Sequence, residues 1–382
     1  MESIDRKTER ERLHSELDAF IDSQDSHLGS LAIRSLIEVP PEFGYKLVGQ
    51  NEKLKRQLSE MRQFVKDTAH ADEGAMRIIE ALQEMVVARP EVPPARAKKL
   101  GKGVLRTAGI LDIGDVHYGE LVSPRSTGNI AQYSPEIARE RFNYTIDEAI
   151  RIGKEHNIQS LWLILGGDMI SGNIHDDLNR NNEMMTIAQT LEASEMIYGG
   201  IESLCQSYPE VNVLAVSGNH PRTEKIPFYN HKQTENLDYM LAKILEYKGI
   251  NQPNLRFHTG ESFWNIIDVE DRKFLIMHGD TIRQQNSMSL PWYGMWKEYM
   301  KWKNMQDITG PFHDMMIHHF HIPNRIGMGN DSLFVNGSLK GKDDYSLAGT
   351  RLPAPACQRF LIVGGGEVTA DYMIKSEHIG KP

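Results

Sequence analysis

Five short apolar runs between residues 104 and 321 each end on side chains of the kinds that can ligate metal ions, and this pattern constrains the fold of the 382-residue chain more than any other. "GVLRTAGILDIGDVH" closes on Asp115 and His117, "SLWLILGGD" on Asp168, and "VNVLAVSGNH" on Asn219 and His220. "FLIMHGD" supplies His278, and "MMIHHFH" places His319 and His321 after His318. Short apolar runs bounded by Gly and polar residues read as buried strands. Between them, "SPEIARERFNYTIDEAIRIGKEH" has a 3.6-residue period with Ser134 as N-cap and Pro135 at the first helical position. "NNEMMTIAQTLEASEMIYGGIESLCQ" and "TENLDYMLAKILEYKG" read as further helices, the latter capped by Gly249. "FWNIIDVEDRKFLIM" reads as a hairpin turning at "EDRK", and "DSLFVNGSL" and "QRFLIVGGGEVTADYMI" as later strands. The expected architecture is an α/β core with a more β-rich second half.

In an open α/β sheet the carboxyl ends of the strands line the ligand crevice, so side chains distant in sequence converge there. A mixed carboxylate, imidazole and amide set suits Mn, Fe or Zn; oxygen-only sets suit Mg or Ca, and thiolates are missing from these motifs. In extended backbone residues i and i+2 share a side, which lets Asp115 with His117, and His319 with His321, reach one site together. A lone D-x-H is common by chance, and a single buried His is more often a hydrogen-bonded core residue than a ligand. The ordered set, each member just after an apolar run, is what carries the reading.

That order, D-x-H, GD, GNH, H and H-x-H, resembles the calcineurin-like metallophosphoesterase superfamily over about residues 104 to 370. The resemblance implies two β-sheets packed face to face with helices outside. It implies that Asp115, His117 and His321 hold one divalent ion, that Asn219, His278 and His319 hold a second, and that Asp168 bridges both. His220 becomes the non-ligand histidine beside the scissile phosphate. Manganese is the expected metal, with Fe, Zn or Mg as alternatives. Two departures stand out: His318 occupies the usual Gly before H-x-H, so a His318 and His321 pair competes, and Pro221 and Arg222 replace the acidic residue common after GNH. Arg222 is read either as a substrate-phosphate contact or as a solvated surface charge.

"FVNGSLKGKDDYSL" and "APACQRFLIV" resemble the nuclease branch, the SbcD-like DNA-repair exonuclease subunits and related phage phosphoesterases. Those nucleases tend to carry a histidine three positions after the GD aspartate, where this chain has Ser171; His175 is the nearest candidate. The expected function is therefore a dinuclear metal-dependent phosphodiester hydrolase acting on DNA. The alternatives are a phosphatase or phosphodiesterase for small molecules or phosphoproteins, and a non-catalytic nucleic-acid-binding scaffold.

Around this core, residues 1–95 have a charge-rich helical pattern with a seam at Leu54, Leu58, Met61 and Val65, expected to serve dimerisation or partner docking. The stretch "ARPEVPPARAKKLGKG" is rich in Pro, Ala and basic residues and marks a domain boundary, with residues 96–103 as the linker and the catalytic domain running from 104 to 382. Cys205 and Cys357 have no CxxC spacing and read as reduced core residues. No segment reaches the roughly 18 uninterrupted apolar residues of a membrane span, and the start lacks a signal-peptide core, so a cytoplasmic protein with no membrane partner is expected. The net charge of -9 gives no global attraction to nucleic acid, although a local basic patch can still bind phosphates. Near the site, Trp292, Tyr293, Trp296, Tyr299 and Trp302 interleave with Lys297, Lys301 and Lys303, readable as a base-stacking surface or as a buried helical stripe at 292, 296, 299 and 302. Arg180, Arg283 and Arg325 are further candidates for an entry groove.

Overall fold

The computed structural model describes residues 92–97, 106–174, 181–224, 231–282, 292–350 and 352–381. The seam at 54–65, most of the linker, His175, Arg180 and Arg283 lie outside the described residues. Eleven strands are described. β1 (Thr107–Ile113), β2 (Ser160–Leu165), β3 (Glu210–Ala215) and β4 (Leu255–Phe257) alternate with the helices α1 (Pro135–Glu155), α2 (Thr186–Ser207) and α3 (Leu237–Lys248). There follow β5 (Trp264–Val269), β6 (Arg272–Met277), α4 (Trp292–Asn304), β7 (Asp314–Ile317), β8 (Asn324–Met328), β9 (Asp331–Val335), β10 (Cys357–Gly364) and β11 (Glu367–Lys375).

The strands form two sheets, one in the order β11-β10-β1-β2-β3-β4 and the other β5-β6-β7-β9-β8. β1 to β4 are mutually parallel, and the chain returns at its end to add β10 and β11 antiparallel beside β1. In the other sheet parallel β6, β7 and β9 are flanked by antiparallel β5 and β8.

Alternation along each strand decides what packs where, because successive side chains leave opposite faces. Ile110, Ile164, Leu214 and Leu361 from one sheet meet Ile267, Phe274, Ile276, Met316 and Phe334 from the other in a single apolar layer. The opposite face of the first sheet, with Leu111, Leu163, Val213 and Phe360, packs under Phe142 and Ile146 of α1 and Ile197 and Ile201 of α2. The outer face of the second sheet, with Leu275, Met277, Met315 and Leu333, packs under Met295, Tyr299 and Trp302 of α4. The result is helices, sheet, sheet, helix: the face-to-face α/β sandwich expected above.

Local signals explain the element ends. Ser134 accepts a hydrogen bond from the Ile137 amide at the start of α1, with Pro135 in the first turn. The hairpin turns on Glu270 and Asp271, at φ 48° and 67°, the backbone of a two-residue type I′ turn. α2 begins at Thr186, five residues later than its polar lead-in at Asn181 suggests, and Met185 provides no side-chain cap. Residues 92–97 run without regular structure along the body, Val92 exchanging two hydrogen bonds with the Gln252 side chain while the Ala95 amide donates to the Cys205 carbonyl. Both cysteines are buried and free. Among the described residues no helix is long and apolar enough to cross a membrane.

Candidate metal centre

Every motif read from the sequence falls just past a strand end on one edge of the sandwich. Asp115 and His117 follow β1, Asp168 follows β2, and Asn219 and His220 follow β3; His278 follows β6, and His319 and His321 follow β7. The first sheet thus presents two carboxylates, two imidazoles and an amide opposite the imidazoles of His278, His319 and His321 from the second.

Two sets of donor atoms result. The ligand atoms of Asp115, His117 and His321 lie within 4.8 Å of one another, as do those of Asp168, His278 and His319. Asp168 also shares a group with His117 and His220, so its carboxylate stands between the two sets. His117 Nε2 is 3.1 Å from His321 Nε2, which is 3.3 Å from Asp115 Oδ1. His278 Nε2 is 3.2 Å from Asp168 Oδ2 and 3.1 Å from Asn219 Oδ1. Donors sharing one ion at bonds of about 2.1 Å lie roughly 3.0 to 3.4 Å apart, so these separations suit a metal.

The electrostatics favour a cation as well. His278 Nδ1 faces the Gly166 carbonyl at 2.8 Å and donates to it, so a neutral ring aims the Nε2 lone pair at two more acceptors. Positive charge at Nε2 reconciles those three groups. In a metal-free chain that charge is a proton: burial alone lowers the His278 pKa, but the Asp168 carboxylate overrides it and raises the group to about 10. Burial likewise pushes Asp168 up, yet His278 and His220 outweigh it and hold the carboxyl well below its ordinary range. His319 goes the other way, lowered to about 4 by burial and by His278. Among the described residues Asp115 Oδ1 is buried with no hydrogen-bond partner, His321 Nε2 at 3.3 Å being its close polar contact, an arrangement that a cation between the two would satisfy.

The backbone does not present these ligands from extended segments. Asp115, His117, Asp168, His319 and His321 have φ between 49° and 70° in the left-handed region, so the i, i+2 argument for D-x-H and H-x-H gives way to a loop of alternating conformation. Hydrogen bonds fix these loops to one another. The His319 amide donates to Asp115 Oδ2 at 3.0 Å, and the His220 amide to Asp168 Oδ1 at 2.8 Å. His220 Nδ1 meets the Ser171 carbonyl at 3.0 Å, which orients the ring in place of a carboxylate after GNH and leaves Nε2 4.0 Å from Asp168 Oδ2.

His318 turns away from both donor sets. It is fully buried, with Nε2 2.7 Å from Asp112 Oδ1, and the structure groups His319 rather than His318 with Asp168 and His278. Gly114 and Gly166 make room for this ring, since a Cβ at either position would overlap it. Two acids that matter here, Asp112 and Asp238, are not among the residues the sequence motifs single out. Asp112 was detectable as an acid inside the apolar run "AGILDIG", whereas Asp238 is indistinguishable in sequence from any acidic residue in the first turn of a helix. Of the entry-groove candidates, Arg325 is described, and its guanidinium lies against the Phe334 ring and bonds Ser332.

Comparison with known proteins places this geometry. Residues 110–350 match the calcineurin-like phosphoesterase family. A SPbeta prophage-derived uncharacterized protein, YonJ, from Bacillus subtilis (strain 168) is 22% identical over 311 residues, covering 74% of this chain and 69% of that protein. Among solved structures, an archaeal phosphodiesterase is 13% identical, covering 70% of this chain and 99% of its own, at TM-score 0.31. Zinc-complexed Vps29 from Entamoeba histolytica is 12% identical, covering 70% of this chain and 99% of its own, at TM-score 0.29. The family match spans more than half of the 382 residues and takes in every strand-end motif from Asp115 to His321, and the chain belongs to the calcineurin-like phosphoesterase family.

Proposed function

We propose that the chain is a dinuclear metal-dependent phosphodiester hydrolase acting on nucleic acid, DNA first. The observation that carries the metal assignment is that seven donors gather in two clusters, with Asp168 grouped both with His278 and His319 of one and with His117 of the other. Asp115, His117 and His321 would hold one ion, Asn219, His278 and His319 the other, with Asp168 between them; nitrogen and oxygen donors without thiolate suit Mn, Fe or Zn, and manganese is the metal proposed. A bound pair of divalent ions supplies a water of lowered pKa and neutralises charge on the attacking and leaving oxygens of an in-line displacement.

The chain's own groups do the rest. Asp168 and Asp115 bring the negative charge that retains cations, and their burial keeps that charge undiluted by water. His220, held at Nδ1 by the Ser171 carbonyl, presents Nε2 beside Asp168 and, as the imidazolium, would give its Nε2 proton to the departing alkoxide and be left as the neutral ring with Nδ1–H still on Ser171. Arg222, whose Nε donates to the Glu224 carbonyl at 2.9 Å, feels the charges of Asp280 and Asp168, and the proposal gives it the substrate-phosphate contact.

Three features support the nucleic-acid preference. Tyr293 and Trp296 are 61% and 46% exposed and stack on each other at 6.1 Å, on a helix that also carries Lys297 and Lys301. The B. subtilis relative is of prophage origin. Third is the resemblance of the segment after H-x-H to the nuclease branch. The test is Mn-dependent hydrolysis of bis-p-nitrophenyl phosphate against the monoester, followed by labelled single- and double-stranded DNA and RNA. Diester and DNA cleavage that EDTA abolishes and Mn restores is expected; monoester turnover with DNA untouched overturns the nuclease reading. The proposal extends to a cytoplasmic homodimer joined through residues 1–95, and the same number of chains per particle for the full chain and for a chain lacking those residues disposes of that interface.

A further inference from the structure

Asp168 and Asn219 lie beyond different strands, and we infer that Asp238, in the first turn of α3, is the positioning residue that holds these two ligands in register. The inference rests on the dinuclear reading above. Asp238 is 2% exposed and touches neither donor set through its own ligating geometry. Its carboxylate instead collects backbone amides from both ligand loops. Oδ2 accepts from the Asp168 amide at 2.8 Å and the Gly218 amide at 3.0 Å, and Oδ1 accepts from the Met169 amide at 3.2 Å. One side chain therefore pins the peptide of the bridging carboxylate to the peptide next to Asn219.

The neighbourhood is built around this contact. Asn236, the N-cap of α3, accepts from the Asp238 amide at 2.9 Å through its side-chain oxygen, and its amide group donates to the Gly218 carbonyl at 2.8 Å. The Leu237 amide donates to the Pro221 carbonyl, just past His220. Gly218 and Asp168 are in such close approach that a Cβ at 218 would overlap the Asp168 carboxylate, so a small shift of either loop is felt by the bridging ligand. Among the described residues no Lys, Arg or His forms an ion pair with Asp238; amide dipoles and the start of α3 face its charge. Asp168 itself sits at φ 54°, a conformation that the hydrogen bond on its own amide helps to hold.

Asp238→Asn keeps the shape but cannot satisfy all three amides, because whichever way the group is turned its NH2 stands against at least one peptide N–H, that of Met169 or those of Asp168 and Gly218. The experiment titrates the full chain with Mn(II) alone, by calorimetry for affinity and by electron paramagnetic resonance for exchange coupling between two ions. Wild type is expected to take up two coupled ions. D238N is expected to bind at least one of them about 10- to 100-fold more weakly and to lose the coupled spectrum. Asn236→Ala, which loosens the same clamp without touching the carboxylate, is expected to move both readouts in the same direction by a smaller factor, and it decides the matter should D238N fail to fold. A wild-type chain that takes up fewer than two Mn ions overturns the dinuclear reading and this inference with it. Two coupled ions in wild type with unchanged affinity and coupling in the folded variants overturn the positioning role alone, and a lowered melting temperature with intact Mn binding has the same effect.

Discussion

Asp115, His117, Asp168, His319 and His321 adopt a backbone that L-residues avoid, at a cost of about 1 to 3 kcal/mol each. Such cost persists where surrounding contacts over-determine the loop, and here those contacts are the amide bonds to Asp115, Asp168 and Asp238. His220 adds no strain of this kind and belongs to neither three-residue set that includes His278 or His321. His220→Asn is accordingly expected to leave Mn stoichiometry unchanged and to lower diester turnover by about 10²- to 10⁴-fold; near-normal turnover at full occupancy removes the proton-donor role. Gly166 invites another substitution. Its α-carbon abuts the buried His318 ring, and Gly166→Ala is expected to destabilise the fold by about 1 to 3 kcal/mol in urea denaturation, because the added methyl group would overlap that ring.

At the scale of the element, α4 shows how far periodicity reaches. The spacing 292, 296, 299, 302 suggests one aromatic stripe, but the helix buries Met295, Tyr299 and Trp302 and leaves Trp296 at the boundary, 46% exposed. A methionine competes as well as an indole for a core-facing position, and letters alone do not say which wins. Trp302→Ala is expected to cost about 3 to 5 kcal/mol of stability, and Trp296→Ala less than about 1 kcal/mol while weakening single-stranded DNA binding. Strands and the start of α1 were more legible. The apolar runs of β1, β2, β3, β6 and β7 and the Ser134 cap of α1 lie where their residues indicate, because burial and capping are local preferences. Partner choice is not local: nothing in "QRFLIVGGGEVTADYMI" says that β10 returns to lie beside β1. Nor does "HHFH" reveal which histidine turns inward, since that depends on space opened by Gly114 and Gly166 from another sheet.

Whole-molecule stability has an acid-sensitive component. Lys340 is buried with its ammonium 3.0 Å from both Glu120 oxygens and 2.5 Å from Asp343 Oδ2, tying the loop after β1 to the chain after β9. Burial raises the Asp343 pKa, but Lys340 prevails and holds it far below the ordinary carboxylate value of 3.8. For a depressed acid, the unfolded chain takes up the proton first as pH falls. The stabilisation is therefore present above the ordinary value and is lost progressively below it, down to the folded-state pKa. Thermal melts of Asp343→Asn are expected to show lower stability at pH 7 and a shallower decline below about pH 4 than wild type; parallel curves contradict the pairing.

The donors come from both layers of the sandwich, four from one sheet and three from the other. Filling such a site rivets the layers together. Slow amide hydrogen exchange in β1 and β2 and in β6 and β7, which independent breathing of the two sheets would keep distinct, should then merge into one cooperative opening when Mn is added and separate again on chelation.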